Sequence, residues 1–192
     1  MMLGLIAALL LVVPASAYAQ TQPAAAPAYT TNAEMTAIFT ADQGDRDAGP
    51  RIDWAAVRPR DAARRARTRA LLDSGALQSG DDFYHAAFVF QHGDAADDCL
   101  LAHTLAVVAI ARGRRDATWI ATATLDRYLQ RIGQKQVFGT QYTRAPDQPW
   151  TQEPYDRALI SDRLRAALGV PDQAAQDRKR QAMDAEYKAA GK

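Results

Sequence analysis

The sequence predicts an all-α fold of packed helical hairpins, about six to seven helices, with an irregular loop after the fifth. Three observations predict it. Apolar residues recur at helical spacing, as in Ala121, Leu125, Tyr128, Leu129 and Ile132. Helix-starting Ser, Thr and Asp and helix-ending Gly bracket such stretches along most of the chain. Strand signals shrink to one short extended piece at Val137-Phe138.

Taken in order, Thr31-x-x-Glu34 reads as a capping box ahead of a helix through about Asp42. Asp61 reads as the start of a second helix, with Ala62, Ala66, Ala70 and Leu71 inward and Gly75 as its stop. Ser79 with Asp82 caps a third that stops at Gly93. Asp94 and Asp97 favour the dipole at the start of a fourth, which Gly113 ends. Asp116 caps a fifth that runs to Gly133. The fourth and fifth read as one αα-hairpin, similar to a unit of an α-solenoid, but no consistent period extends through the chain. The segment 134–156 has no helical pattern, and its Phe138, Tyr142, Trp150 and Tyr155 predict that it packs down on the bundle. Pro154 reads as opening a sixth helix to Gly169, with Leu159, Ile160, Leu164 and Leu168 inward. The predicted domain is 32–169, and 170–192 forms a charged, frayed C-terminal helix.

The N-terminus predicts export. Leu3 to Val13 is apolar apart from Gly4, the length of a signal core and too short to span a membrane. Ala17-Tyr18-Ala19 supplies a cleavage pattern, so 1–19 is a signal peptide and 20–31 a disordered Pro/Ala linker. The expected location is periplasmic or secreted, and the Ala- and Arg-rich usage matches bacteria with GC-rich genomes. No later segment is apolar enough to cross a membrane, so none is expected in the mature chain. Net charge is +1, which gives no global field for nucleic acid or anionic lipid. The one basic run, Arg58 to Arg69 with six arginines, reads as a solvated helix face; contact with lipid headgroups or cell-wall polymer is the alternative. A lone Cys99 forms no intramolecular disulfide, and the apolar run after it predicts burial.

Candidate functional residues concentrate between Tyr84 and Gln141. Polar groups buried without partners cost about 1–3 kcal/mol each. His85, Val89 and His92 share one stripe of the third helix, and His103 lies in the strongly apolar fourth. Three readings stand. The histidines bond to buried partners and fix helix register. Alternatively they line a pocket closed by the 134–156 loop, with Asp126 orienting an imidazole and Arg127 offering an anion fork. In the third, Cys99, His103 and His92 form a zinc or copper site, although the ligand spacing is loose and no metal or other cofactor is expected. A Cys99–His103 nucleophile pair is also conceivable. No serine elbow, H-E-x-x-H, phosphate loop or dinucleotide glycine pattern occurs.

The order Asp42-Gln43 with Arg46, then Gln91-His92-Gly93, Ala102-His103, Asp126-Arg127, and Gly133 through Gln136 to Gly139-Thr140-Gln141 resembles a bacterial family of unknown function. Its signature is D-Q-x-x-R, Q-H, D-R and G-x-x-Q-x-[FY]-G-T-Q, and the match spans 34–141. The resemblance implies a convergent cluster and no chemistry. It places Gln91, His92, His103, Asp126, Arg127, Gln136, Thr140 and Gln141 in that cluster, with Asp42, Gln43 and Arg46 reaching the same place. From their own chemistry, His92, His103 and Asp126 are the catalytic candidates, and Gln91, Arg127, Gln136, Thr140 and Gln141 the ligand binders. The leading expectation is a non-enzymatic module that binds a small polar ligand or a periplasmic protein partner, not nucleic acid. The rival is a hydrolase or transferase with His92 or His103 as base.

Overall fold

The computed structural model describes residues 29–189. The predicted signal peptide and most of the predicted linker lie outside them. Seven α-helices follow one another: α1 (Ala33–Gly44), α2 (Trp54–Asp73), α3 (Gly80–Gln91), α4 (Ala96–Ala111), α5 (Ala117–Arg131), α6 (Asp162–Ala167) and α7 (Gln173–Ala189), with one 3-10 turn at Gly49–Arg51. The fold is all-α. Among the described residues, extended pairing is limited to isolated bridges at Gln136–Tyr155 and Thr143–Thr151.

The core forms where α3, α4 and α5 pack in succession. Its buried residues are mostly small: Ala86, Ala87, Ala102, Ala106, Ala109, Ala117 and Ala121, with Val89, Phe90, Leu105 and Ile120 filling between them. Small side chains let helix axes approach toward the short end of the usual 8–10 Å range. The α4–α5 hairpin is as predicted, and Gly113 makes its turn in the left-handed region at φ +92°. α1 lies against α3, and α2 lies against both.

The third helix starts as its sequence says. Ser79 Oγ accepts from Asp82 N at 3.0 Å and Asp82 Oδ2 accepts from Ser79 N at 2.9 Å. Asp82 Oδ1 also accepts from Asn32 N at 2.7 Å, so one buried carboxylate joins the starts of α1 and α3.

Other boundaries moved. The cap of α1 is Asn32, whose Oδ1 accepts from Met35 N, because Thr31 turns to Asp81 and Glu34 to Arg67. α2 begins seven residues before Asp61, capped by Asp53 through Ala55 N and Ala56 N. Pro59 lies inside it, where a missing N–H removes one helical bond but leaves the helix intact. The buried face of α2 is therefore Val57, Asp61, Thr68 and Leu71, and Ala62, Ala66 and Ala70 face solvent. On α5 the buried side runs through Ile120, Ala121, Ala123, Thr124 and Asp126, and Ile132 is exposed. Asp116 precedes α5 but gives its carboxylate to Arg114 instead of capping.

Pro154 opens no helix. It follows a cis peptide bond, and α6 starts only at Ser161, whose Oγ accepts from Leu164 N. Leu159 and Leu164 are exposed there, while Arg165 is fully buried. Nor is the C-terminal helix an unattached end. α7 sits on the 134–156 loop through Gln176, which is 2 % exposed. Gln176 Nε2 donates to Phe138 O at 2.9 Å and Pro171 O at 2.8 Å, and its Oε1 accepts from Gln152 and Tyr155.

Candidate functional site

Apart from His103, the polar residues that the sequence groups together separate into two places that share one arginine.

The first is a loop lock. Asp126 is fully buried on α5, and its carboxylate faces the loop rather than any histidine. It accepts from Val137 N at 2.7 Å, Phe138 N at 3.0 Å, Thr140 N at 2.9 Å and Thr140 Oγ1 at 2.8 Å. Gln136 is equally buried, and spans the loop by donating to the carbonyls of Gln141 and Gln152 and accepting from Gln141 N. Gln141 Nε2 donates to Ala123 O and Thr140 Oγ1. Gly139, at φ +77°, lies against Tyr155 and Gln176 with no room for a Cβ. Asp126, Gln136 and Thr140 thus have their polar atoms occupied by the loop itself. Asp126 therefore faces the loop and no imidazole, and the side chains of Gln136 and Thr140 are engaged within the loop. A carboxylate this close to three backbone N–H groups acts as their acceptor.

The second place is a cleft of about 260 Å³ between α2, the end of α3 and α5. Trp54, Arg58, Asp61 and Arg65 line it from α2, spaced i, i+4, i+7 and i+11 so that they form one stripe. Gln91, His92, Gly93 and Asp94 line it from the end of α3, Arg127 and Arg131 from α5, and Arg46 from the turn after α1.

His92 is the centre of this arrangement. Its Nδ1 lies 3.0 Å from Asp42 Oδ2, and Asp42 is fully buried. Facing a carboxylate, Nδ1 carries the proton, which leaves Nε2 as the free ring position. Among the described residues Nε2 has no hydrogen-bond partner and is not enclosed, and the ring borders the cleft. Asp42 is itself held by Gln43 Nε2 at 2.7 Å and by Arg46. Arg46 bonds on to Asp61 at 2.7 Å, and Arg64 joins Asp61 to Asp45. The expectation that Asp42, Gln43 and Arg46 reach the same place as His92 matches this geometry.

The arginines have two occupations. Helix carbonyls at a C-terminus lack intrahelical donors and carry partial negative charge. Arg127 Nη1 takes Gln91 O at 2.9 Å, Arg65 takes His92 O at 3.2 Å, and Arg131 takes Gly93 O at 2.8 Å and also Asp94 O. These three therefore cap α3. Gln91 contributes to the cleft wall and to this cap through its carbonyl. Arg127 Nε also donates to Gln141 Oε1 at 3.1 Å, so it touches loop lock and cleft together. Among the described residues Arg127 pairs with no carboxylate. Burial holds its pKa below the ordinary arginine value, and neighbouring Arg131 and Arg46 push the same way. Arg58 is exposed and, among the described residues, forms no ion pair. The basic run is thus not a uniform solvated face: Arg58 and Arg65 line the cleft, Arg60 and Arg64 pair with Asp45, and Arg67 pairs with Glu34.

His103 lies elsewhere. Its Nδ1 donates to Ala121 O at 2.9 Å, tying α4 to α5, and its ring borders a separate apolar groove with Val107, Ile110, Phe138 and Leu168. It takes no part in the lining of the His92 cleft. Cys99 is fully buried, and burial raises its thiol pKa, which opposes a thiolate nucleophile. Among the described residues no group of three His, Cys, Asp or Glu side chains is placed to hold a metal. His85 stacks on Phe39 at 4.3 Å, within the aromatic packing of α1 against α3.

Sequence reasoning missed Trp54, Arg58, Asp61, Arg65 and Arg131. The first four form a stripe on α2 whose first turns Pro59 hid, and Arg131 joins them from the last turn of α5. No family model matches the chain, and no curated protein or solved structure does. No described helix is long and apolar enough to cross a membrane.

Proposed function

We propose that the protein is an exported, periplasmic or secreted module that binds a small anionic ligand in the Trp54–Arg131 cleft. Arg127 carries this reading: a partly buried guanidinium bonded only to neutral acceptors, with like charges beside it and no counter-ion among the described residues. A desolvated cation of that kind gains more from an anion than an exposed one does. Arg58 and the free Nε2 of His92 supply further polar groups at the same opening. The apolar run Leu3 to Val13 supports export. The motif resemblance adds positions to this reading and no chemistry.

Isothermal titration of the full chain with inorganic phosphate and with acetate tests it. Binding of either at millimolar strength, weakened about tenfold or more by Arg58→Ala, is the expected result, since a hydrogen bond to a charged group contributes about 1.5–3 kcal/mol. Among the described residues the exposed Arg58 side chain makes no hydrogen bond or ion pair, so this variant keeps its stability. A folded wild type that takes up neither anion removes the proposal.

A second reading has one specific observation in its favour. Asp42 fixing His92 Nδ1, with Nε2 at an arginine-lined opening, is the arrangement a general base requires. A hydrolase or transferase of this kind would turn over p-nitrophenyl acetate or phosphate and lose that activity in His92→Gln. No turnover above the His92→Gln background leaves the binding module alone.

A further inference from the structure

Trp54 lines the cleft but has no part in the anion reading. It is the first residue of α2 and 50 % exposed. A single exposed indole is ordinary on a protein surface. This one, however, borders the guanidiniums of Arg46, Arg58, Arg65, Arg127 and Arg131 in a shared opening. An indole face near so many cations is a natural seat for one of them. Yet none of the recorded cation–π contacts uses Trp54, although arginines stack on Phe90, Tyr29, Tyr84, Tyr187 and Tyr155 elsewhere. No aromatic ring packs against it in the described residues either.

The indole's backbone is also fixed in advance. Asp53 caps the two residues after Trp54, and Trp54 N donates to Ile52 O at 3.1 Å. Arg58 follows one turn later on the same stripe, so the ring and a free guanidinium stand side by side along α2, about 6 Å apart in rise. The opening, about 260 Å³, is at the small end of ligand cavities, room for one ring and a head group.

From this juxtaposition we propose that the ligand joins its anionic group to a ring whose flat face lies on Trp54. This rests on the anion-binding reading and narrows its ligand class to ring-bearing anions. Two sources share the chemistry. An aromatic ring stacks by its π face, and a sugar ring presents a face of C–H bonds to the indole.

The test titrates the full chain with inorganic phosphate, phenyl phosphate and glucose 1-phosphate, in wild type, Trp54→Ala and Trp54→Phe. Stacking on an aromatic side chain is commonly worth a factor of about ten or more in affinity. The expected result is that a ring-bearing phosphate binds at least about tenfold tighter than inorganic phosphate. Trp54→Ala removes that advantage without changing the affinity for inorganic phosphate, and Trp54→Phe retains part of it. Preference for phenyl phosphate assigns the aromatic source, and preference for glucose 1-phosphate the sugar source. Equal affinity for all three, unmoved by Trp54→Ala, overturns the ring proposal and leaves the anion site standing. Failure of all three to bind a folded wild type removes both. Because Trp54 lies outside the buried core, a drop in melting temperature on Trp54→Ala is not expected, and the comparison reads binding alone.

Discussion

Asp126→Asn separates a structural role for the Asp126–loop contact from a catalytic one by the size of its effect. The substitution keeps shape and removes charge. Asp126 Oδ1 accepts from Val137 N and Phe138 N, and Oδ2 from Thr140 N and Thr140 Oγ1. An asparagine can keep its oxygen toward Val137 and Phe138. Its Nδ2 then faces the Thr140 N–H, donor against donor, while the Thr140 hydroxyl can turn round and accept. One charge-assisted bond is lost outright, about 1.5–3 kcal/mol, and one buried N–H is left unpaired, about 1–3 kcal/mol. The bonds that survive also lose their charge assistance. The expected loss is about 3–5 kcal/mol, or about 6–20 °C in melting temperature for a chain of this size. Guanidinium unfolding measures it, and hydrogen exchange at the Thr140 amide locates it. A loss under about 1 kcal/mol with Thr140 still protected would refute the claim that this carboxylate holds the loop.

Three further outcomes follow from the same geometry. Gly139→Ala puts a Cβ against Gln176 and within 2.6 Å of Tyr155 Cζ at φ +77°, so it destabilises by more than about 1 kcal/mol and loosens α7, readable by limited proteolysis. Asp45 is held down to about 2 from 3.8 by its bonds to Arg60 and Arg64. A depressed carboxylate stabilises fully above the unfolded value and loses that contribution as pH falls from about 3.8 through about 2, so acid unfolding of Asp45→Asn should be flatter over that window than wild type. Gln141→Leu should weaken anion binding although Gln141 is not part of the cleft wall, because it frees Arg127 Nε; unchanged affinity in the folded variant would show that Arg127 is positioned without it.

The helices were legible where local chemistry decides them. Ser79 and Asp82 sit at the cap the sequence assigns, and the apolar run from Leu100 to Ala111 is α4. Legibility failed where a long-range partner outweighs a local signal. Thr31 looks like a cap, but Asp81 takes its hydroxyl. Pro154 looks like a helix start, but its segment is tied into the loop by Gln136 N bonding to Pro154 O. Ala62, Ala66 and Ala70 look like an inner face only if Asp61 is taken as the first residue of α2, since charged Asp61 and Arg64 then appear to mark the outside. In fact Asp61 is buried because Arg46 and Arg64 neutralise it, and a buried ion pair cannot be told from a solvated charge by composition. For the site, the sequence supplied His92 and Arg127 but paired His92 with the wrong aspartate. Asp42 is 50 positions away and Asp126 is 34, and nothing in sequence spacing chooses between them.

If the cleft binds an anion as proposed, the split of the motif residues into lock and cleft gives the lock a purpose beyond stability. Asp126 and Arg127 are neighbours on α5, so their side chains point about 100° apart around the helix. One turns into the loop and the other toward α3. Asp126 fixes Thr140, Thr140 Oγ1 accepts from Gln141 Nε2, and Gln141 Oε1 takes the Nε of Arg127. The opposite edge of the same guanidinium holds the last carbonyl of α3, one residue before His92. An arginine held on two edges by neutral acceptors keeps its plane fixed and its charge unspent, which is the condition for receiving an anion without reorganising. The loop residues therefore need not touch a ligand to matter to one. They set the plane of Arg127, as Asp42 sets the plane of His92 from the other side of the cleft.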